Sequence, residues 1–283
     1  MTPIFKDGTR TDVNNYRPIS VVPVIAKIFE KVIYDQLYKF LDDNRLITDC
    51  QSGFRVLHNT MTALLEATNS WSVNIDKGLL NGTLFIDLKK AFDTIDHEIM
   101  IEKLTYYGMD IKTLDWFRSY LSDRTQKCQV NGQLSSSKNL SCGIPQGTIL
   151  GPLLFLIYIN DLPKCLDHGA SPRMYADDTN ITVAASNYEE LQNLMNNALE
   201  NINLWLRANK LSLNVAKTEF MIIGSRKRLA TQAHQGIHVH IGDKQIKRVT
   251  STKTLGVIVD EHLSWRIDKL TKKSLLALVL SKE

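Results

Sequence analysis

The sequence predicts an α+β fold, an antiparallel sheet backed by helices on one face. Three observations predict it. Helical and strand-like stretches intermingle, tight hairpin signals stand between apolar runs, and no regular strand-helix-strand alternation recurs. With 283 residues and 43% hydrophobic content, the chain can bury one sizeable core or two or three smaller ones. A charged fraction of 23% and a net charge of +4 are ordinary for a globular protein, and the mild basicity permits a nucleic-acid partner without requiring one.

The stretch VIAKIFEKVIYDQLYKFLDD carries Ile25, Ile28, Phe29, Val32, Leu37, Phe40 and Leu41 at helical spacing, which predicts a helix with one buried face. Residues 59–75 predict a second helix, with Met61, Leu64, Leu65, Thr68 and Trp71 on one side. TLFIDL (residues 83–88) reads as a short buried strand. HEIMIEKLTYYG reads as a helix that stops at Gly108, and Asp110 can cap the next one, IKTLDWFRSYL. Asn131-Gly132 in QKCQVNGQLSS is the strongest short-range hairpin signal in the chain. Ser186 and Glu189 are spaced for a capping box on a helix that turns Leu191, Leu194, Met195, Ala198, Ile202 and Trp205 inward. EFMIIG then reads as a strand, HVHIGDKQIKRV as a hairpin around Gly242-Asp243, and KTLGVIVD as a further strand.

Cys50, Cys128, Cys142 and Cys165 are scattered without a C-x-x-C pair, which reads as reduced thiols in an intracellular protein. The start, MTPIFKDGTR, lacks the apolar core of a signal peptide, and the longest apolar run (residues 149–159) is too short to span a bilayer and is broken by Pro152. Neither secretion nor a membrane span is expected.

RMYADDTNITV (residues 173–183) places Asp177 and Asp178 at the centre of a hairpin. A two-residue turn favours Asn-Gly, Asp-Gly or Gly-X, and two adjacent carboxylates repel, so a divalent cation is the expected compensation. Asp87 lies near the end of an apolar strand, where an uncompensated charge costs several kcal/mol. Alone, it reads as a strand-end aspartate capping the helix that follows. Beside Asp177 and Asp178, it points to strand-end carboxylates converging on hard cations, which take oxygen ligands. Two Mg²⁺ ions about 4 Å apart would bracket a phosphoryl transfer. Because strand side chains alternate, Asp177 is expected as the firmer ligand and Asp178 as the more peripheral. Phe92 in KKAFDTIDH reads as core packing or as an aromatic at the edge of a site. GIPQGTILGP, around Gln146 and before the apolar helix LLFLIYI, reads as a plain connector or as a loop whose glycines let backbone approach a nucleotide.

FIDLKKAFDTIDH, GIPQGTILGP, YADD, NVAKTEF and KTLGV occur in this order, preceded by NYRPISV and QSGFR. Together they resemble the reverse transcriptase domain of non-long-terminal-repeat retrotransposons, the jockey-like and other LINE-type elements, over about residues 3–265. The resemblance implies a right-hand polymerase with palm, fingers and thumb, acting as an RNA-directed DNA polymerase. It implies that Asp87, Asp177 and Asp178 are catalytic and hold two Mg²⁺ ions (or Mn²⁺) for attack of a primer 3′-hydroxyl on a dNTP. It implies that Phe92 is a steric gate against the ribose 2′-hydroxyl, and that Lys6 and Arg17 contact the triphosphate through charge-assisted hydrogen bonds. Gln146 is implied near the nucleotide sugar and templating base, and Lys217 as the proton donor to departing pyrophosphate. Leu255 and Gly256 fall in a primer-gripping hairpin, and Arg55 in the fingers against template. On residue chemistry alone, Lys6 also reads as a solvated lysine, Lys217 as a linker lysine and Arg55 as a structural support.

The implied partners are an RNA template, a DNA primer, dNTPs and other segments encoded by the element, with action inside the cell on nuclear DNA. The implied domains are the first part of the fingers in residues 1–80, the palm with remaining fingers elements in 81–265, and the start of a thumb in 266–283. The thumb is expected to be largely missing and the chain to be a truncated retroelement fragment, without the endonuclease that precedes the domain in longer members. Two competing readings are a catalytically inactive remnant that at most binds nucleic acid, and an RNA-dependent RNA polymerase. Phe92 weighs against the second, since a ribonucleotide polymerase must leave room for the 2′-hydroxyl.

Overall fold

The computed structural model describes residues 1–6, 8–232 and 236–264. Its principal strands are β1 (Thr2–Phe5), β2 (Tyr16–Ile19), β3 (Leu80–Ile86), β4 (Ser171–Tyr175), β5 (Asp178–Ala185), β6 (Glu219–Ile223), β7 (Lys247–Arg248), β8 (Ser251–Thr254) and β9 (Val257–Asp260). The helices that matter below are α1 (Val24–Asp43), α2 (Thr60–Asp76), α3 (His97–Tyr106), α4 (Ile111–Leu121), α5 (Leu150–Ile159) and α6 (Tyr188–Ala208). They are divided between two compact units.

The first unit combines residues 1–48, 90–161 and 209–211. Its buried centre is α5, where nearly every residue from Leu150 to Ile159 is inaccessible, as a helix with no polar face requires. Helices α1 and α3 pack against it. Asp96 caps α3 by accepting from the Glu98 and Ile99 N–H groups, and Asp110, as expected, caps α4 by accepting from the Thr113 N–H. Gly108 takes a φ of +84° just after α3, the left-handed angle that ends a helix cheaply. Asn131 and Gly132 (φ +49° and +77°) form the expected type I′ turn between the short strands Gln129–Val130 and Gln133–Leu134.

Helix α1 forms where expected and buries Leu37 and Leu41 of the expected face, but its first turns present a different side. Ile25, Ile28 and Phe29 are 60–70% exposed, whereas Glu30 is only 4% exposed and shares its face with Leu37 and Leu41. The reason is a polar anchor. The Glu30 carboxylate accepts from the Tyr120 hydroxyl (2.9 Å) and from the Ile149 N–H (2.7 Å) at the start of α5. A carboxylate at a helix N-terminus meets the positive end of the helix dipole, which offsets part of its desolvation.

The second unit combines residues 49–89, 162–208 and the described residues from 212 onward. Its sheet has the order β7-β6-β3-β5-β4, antiparallel except for the parallel pair β6–β7. The sheet is covered on both faces, not on the single face expected. In β3, Gly82 faces α6 so closely that a Cβ there would stand 2.4 Å from the Met195 sulfur. The neighbouring positions face α2: Asn81 donates to the Trp71 carbonyl (3.1 Å), and Thr83 pairs with the Thr182 hydroxyl (3.1 Å), which accepts from the Trp71 indole (2.9 Å). Successive strand residues point to opposite faces, so α2 and α6 lie on opposite sides. Every residue of β3 except the half-buried Phe85 is buried, as a central strand covered on both faces requires, and its polar Asn81 and Thr83 are hydrogen-bonded.

Three local expectations shift. The cap of α6 is Asn187, which accepts from Glu190 N–H (2.9 Å), while the Glu190 carboxylate reaches back to Ser186, one residue later than the expected box. KTLGVIVD is a hairpin, β8 and β9, turning at Leu255 and Gly256 with φ of +49° and +87°. The strand TLFIDL begins earlier and ends before Asp87. The expected thumb segment at 266–283 lies outside the described residues. Among the described residues no helix is long and apolar enough to cross a membrane, and no disulfide joins the four cysteines.

Burial pushes the Tyr120 and Tyr158 hydroxyls up to about 12 from an ordinary 10; Tyr158 also donates to the Asn209 carbonyl at 2.6 Å. Because the folded values lie above the unfolded one, this stability is complete below pH 10 and is lost as pH rises through about 12. Urea unfolding followed over that window is expected to show a falling midpoint, and Tyr120→Phe with Tyr158→Phe to flatten the fall.

Candidate active site

In the second unit, β4 and β5 are joined by a two-residue turn, but the two residues are Ala176 and Asp177, with Tyr175 paired to Asp178. Ala176 alone of the two has a positive φ (+57°), the pattern of a type II′ turn. The two carboxylates are thus inequivalent: Asp177 occupies the turn, and Asp178 opens β5. Both are exposed.

Strand β3 pairs with β5 so that Ile86 lies opposite Thr179, and continuing that register sets Asp87 opposite Asp178. Cross-strand partners share a face. Alternation from Thr83 and Thr182 puts that face on the α2 side, which also carries Phe85, Asn180, Arg173 and Glu219. A cavity of roughly 480 Å³ opens there, lined by Asp87, Asp178, Lys217, Glu219, Arg173 and Leu255 among others. Asp178, not Asp177, therefore stands in the cavity beside Asp87. The turn thus falls one residue earlier than an Asp177-Asp178 turn would place it.

The NVAKTEF segment fixes Asp87 by its backbone. Asp87 N–H donates to the Thr218 hydroxyl (3.3 Å), its carbonyl accepts from Asn214 N–H (2.8 Å), and a turn from Asn214 to Lys217 brings Lys217 to the cavity wall. Glu219 is already engaged, by Lys247 (3.1 Å) and the Thr252 hydroxyl (3.1 Å). Burial draws the Arg173 guanidinium below its ordinary value, and its Nη1 has no hydrogen-bond partner among the described residues. Gly256 and Leu255 form the tip of the β8–β9 hairpin, with Leu255 on the cavity. Arg55 also belongs to this unit, its guanidinium donating to the Gln51 carbonyl (3.0 Å).

Among the described residues, no three His, Cys, Asp or Glu side chains stand close enough to hold a metal ion by themselves. The donor chemistry nevertheless fits a hard cation. Two carboxylates face one polar cavity, and Mg²⁺ ordinarily completes its shell with water and substrate phosphates rather than with an all-protein cage.

The first unit brings together another set. Phe92 lies in the short turn Ala91–Thr94, its ring stacked on Phe155 of α5 (4.4 Å between centroids, 17°). One ring face packs on the core, and the residue stays half-buried. Gln146 donates to the Asp93 carboxylate (2.9 Å), and its carbonyl accepts from Ser20 N–H (2.8 Å) just after β2. Gly143 (φ +87°) permits this docking, since a Cβ there would lie 2.7 Å from the Asp93 carbonyl oxygen. Arg17 pairs with Ile4 across the β1–β2 ribbon, and Lys6, two residues beyond Ile4, falls on the same ribbon face; both are exposed. Sequence reasoning missed Asp93, Glu30 and Arg173, which carry no motif spacing, and it did not see that Gln51 would be buried.

The family model described as reverse transcriptase (RNA-dependent DNA polymerase) matches residues 4–259, and the chain belongs to that family. Among its relatives, it is 28% identical over 89% of its length to the probable RNA-directed DNA polymerase from transposon BS of Drosophila melanogaster. It is 27% identical over 93% to the RNA-directed DNA polymerase from mobile element jockey of the same species. The expected likeness to jockey-like elements holds, although the chain spans only 28–29% of those relatives' length. The fold is shared with telomerase from Candida tropicalis, solved in complex with a TWJ fragment of telomeric RNA, at a TM-score of 0.55 and 12% identity over 87% of this chain and 39% of that one. The right-hand polymerase architecture is thereby established, and reverse transcriptases use divalent metal ions.

Proposed function

We propose that this chain is the RNA-directed DNA polymerase domain of a non-long-terminal-repeat retrotransposon, adding deoxynucleotides to a DNA primer on an RNA template. One observation carries the reading: in a chain of the reverse transcriptase family, the β3–β5 register sets Asp87 opposite Asp178 on one polar cavity. Asp87 and Asp178, with Asp177 beside them at the turn, would hold Mg²⁺. The bound ions supply Lewis-acid activation of the primer hydroxyl and neutralise charge on the triphosphate.

The chain's own residues do the rest. Lys217, on the cavity wall, offers a proton to the departing pyrophosphate. The Leu255–Gly256 tip holds the primer strand, and Arg55 steadies the QSGFR segment. In the first unit, Lys6 and Arg17 supply cationic donors for phosphate oxygens from one face of a rigid ribbon. Phe92, pinned by Phe155, presents a ring that excludes a 2′-hydroxyl, and Gln146 is oriented by Asp93 towards the sugar and templating base. We take the second unit as palm and the first as bearing the fingers elements.

Primer extension on an RNA template with Mg²⁺ and dNTPs tests this. Asp87→Asn and Asp178→Asn are each expected to lower the rate by about 10³-fold or more, as loss of a metal-holding carboxylate does. Equal extension by wild type and both variants overturns the assignment. Binding of primer-template without extension at high protein concentration selects the inactive remnant instead. Phe92→Ala is expected to raise ribonucleotide incorporation relative to deoxynucleotide by about 10-fold or more, read from competing single-nucleotide additions. Unchanged discrimination removes Phe92 from the gate.

A further inference from the structure

We infer that Gln51 and Gly53 are positioning residues for the Asp177–Asp178 carboxylates, because residues 50–53 clamp the turn that carries them. This deepens the polymerase reading above and rests on it.

The clamp is a piece of strand laid against β4, the last strand of its sheet. Met174 N–H donates to the Cys50 carbonyl (2.8 Å), and Ser52 N–H donates to the Met174 carbonyl (2.8 Å), with Gln51 bridged in parallel to Met174. Gln51 is 1% exposed, and its Oε1 accepts two hydrogen bonds, from Gly53 N–H (2.7 Å) and from Ala176 N–H (3.0 Å). Both partners are donors, so the amide can face only one way. Its Nε2 is left without a hydrogen-bond partner among the described residues. A buried donor with no partner is a cost that a folded chain rarely retains unless the other end of the group does something.

Gly53 meets the same turn by close approach. A Cβ at Gly53 would stand 2.2 Å from the Ala176 nitrogen and 2.8 Å from the Tyr175 carbonyl carbon. Both are backbone atoms, so any side chain there displaces the turn itself. Ala176, buried and non-glycine, holds a φ of +57°, a conformation that persists only where surrounding contacts over-determine it. Gln51 Oε1 and the bare Gly53 backbone supply those contacts. Ala176 immediately precedes Asp177 and Asp178, so the angle held there sets where Asp178 enters β5 opposite Asp87. Gln51 acts through the turn and touches no substrate.

The test compares Gln51→Leu, which keeps size and charge but removes the acceptor, with Gln51→Glu, which keeps the acceptor. The readouts are thermal unfolding, kcat and dNTP KM in primer extension, and Mn²⁺ affinity by electron paramagnetic resonance without nucleic acid. Gln51→Leu is expected to fold, to lower kcat roughly 10- to 100-fold with dNTP KM within about twofold, and to weaken Mn²⁺ binding several-fold. Gln51→Glu is expected to recover most of kcat. Gly53→Ala is expected to reproduce the Gln51→Leu losses. Folded Gln51→Leu with wild-type kcat and Mn²⁺ affinity overturns the inference, as does a Gln51→Glu kcat no better than that of Gln51→Leu. If Gln51→Leu does not fold, Gln51→Met is read in its place against the same two outcomes. If wild type binds Mn²⁺ but does not extend primers, the polymerase reading fails alone, and the Mn²⁺ comparison still decides the clamp.

Discussion

The antiparallel register between β3 and β5 decides which side chains share the cavity. Seven consecutive pairs, Leu80 with Ala185 through Ile86 with Thr179, carry the two strands to their ends in phase. A slip of one residue would turn every side chain of one strand to the other face. Asp178 would then leave the cavity, and Thr83 would lose Thr182. The register is over-determined by burial on both faces: Gly82 admits Met195 on one side, and the Trp71 indole reaches Thr182 on the other. A hydrogen-bonded threonine pair under a buried tryptophan fixes one arrangement more sharply than apolar contact alone.

From that register, the remaining parts of the cavity follow by alternation. Phe85, Asp87, Asn180, Asp178 and Glu219 share the face because strand side chains repeat every second residue. What alternation cannot set is the end of the hairpin, where the chain leaves the ladder. There the structure uses contacts from elsewhere in the sequence: Thr218 and Asn214 on the Asp87 backbone, and the 50–53 segment on the Ala176 turn. Each of these two strand ends is thus gripped through its main chain, with its carboxylate on the cavity.

Much of this was legible in the sequence, for reasons that differ by residue. Asp110, Gly108 and Asn131-Gly132 act within a few residues of themselves, so their cap and turns read directly. The carboxylates were legible because a charge at the end of an apolar strand needs a reason. Three things were not legible. The inward face of α1 is decided by Glu30, whose partners Tyr120 and Ile149 are distant in sequence, so the apolar count at Ile25, Ile28 and Phe29 pointed the wrong way. The order of Asp177 and Asp178 depends on which two residues form the turn, and an alanine at positive φ is not a signal that local preference provides. The two-sided cover of the sheet depends on which helix meets which face, and periodicity in one strand does not record that.

The most direct test is whether Asp87 and Asp178 hold a cation jointly. Mn²⁺ affinity of the protein alone, measured by electron paramagnetic resonance for wild type, Asp87→Asn, Asp178→Asn and the double variant, forms a double-mutant cycle. A shared site predicts strong coupling, with either single substitution weakening binding by about 10-fold or more and the second adding little. Independent, additive losses, or affinity unchanged in both single variants, would contradict the register as the origin of the site.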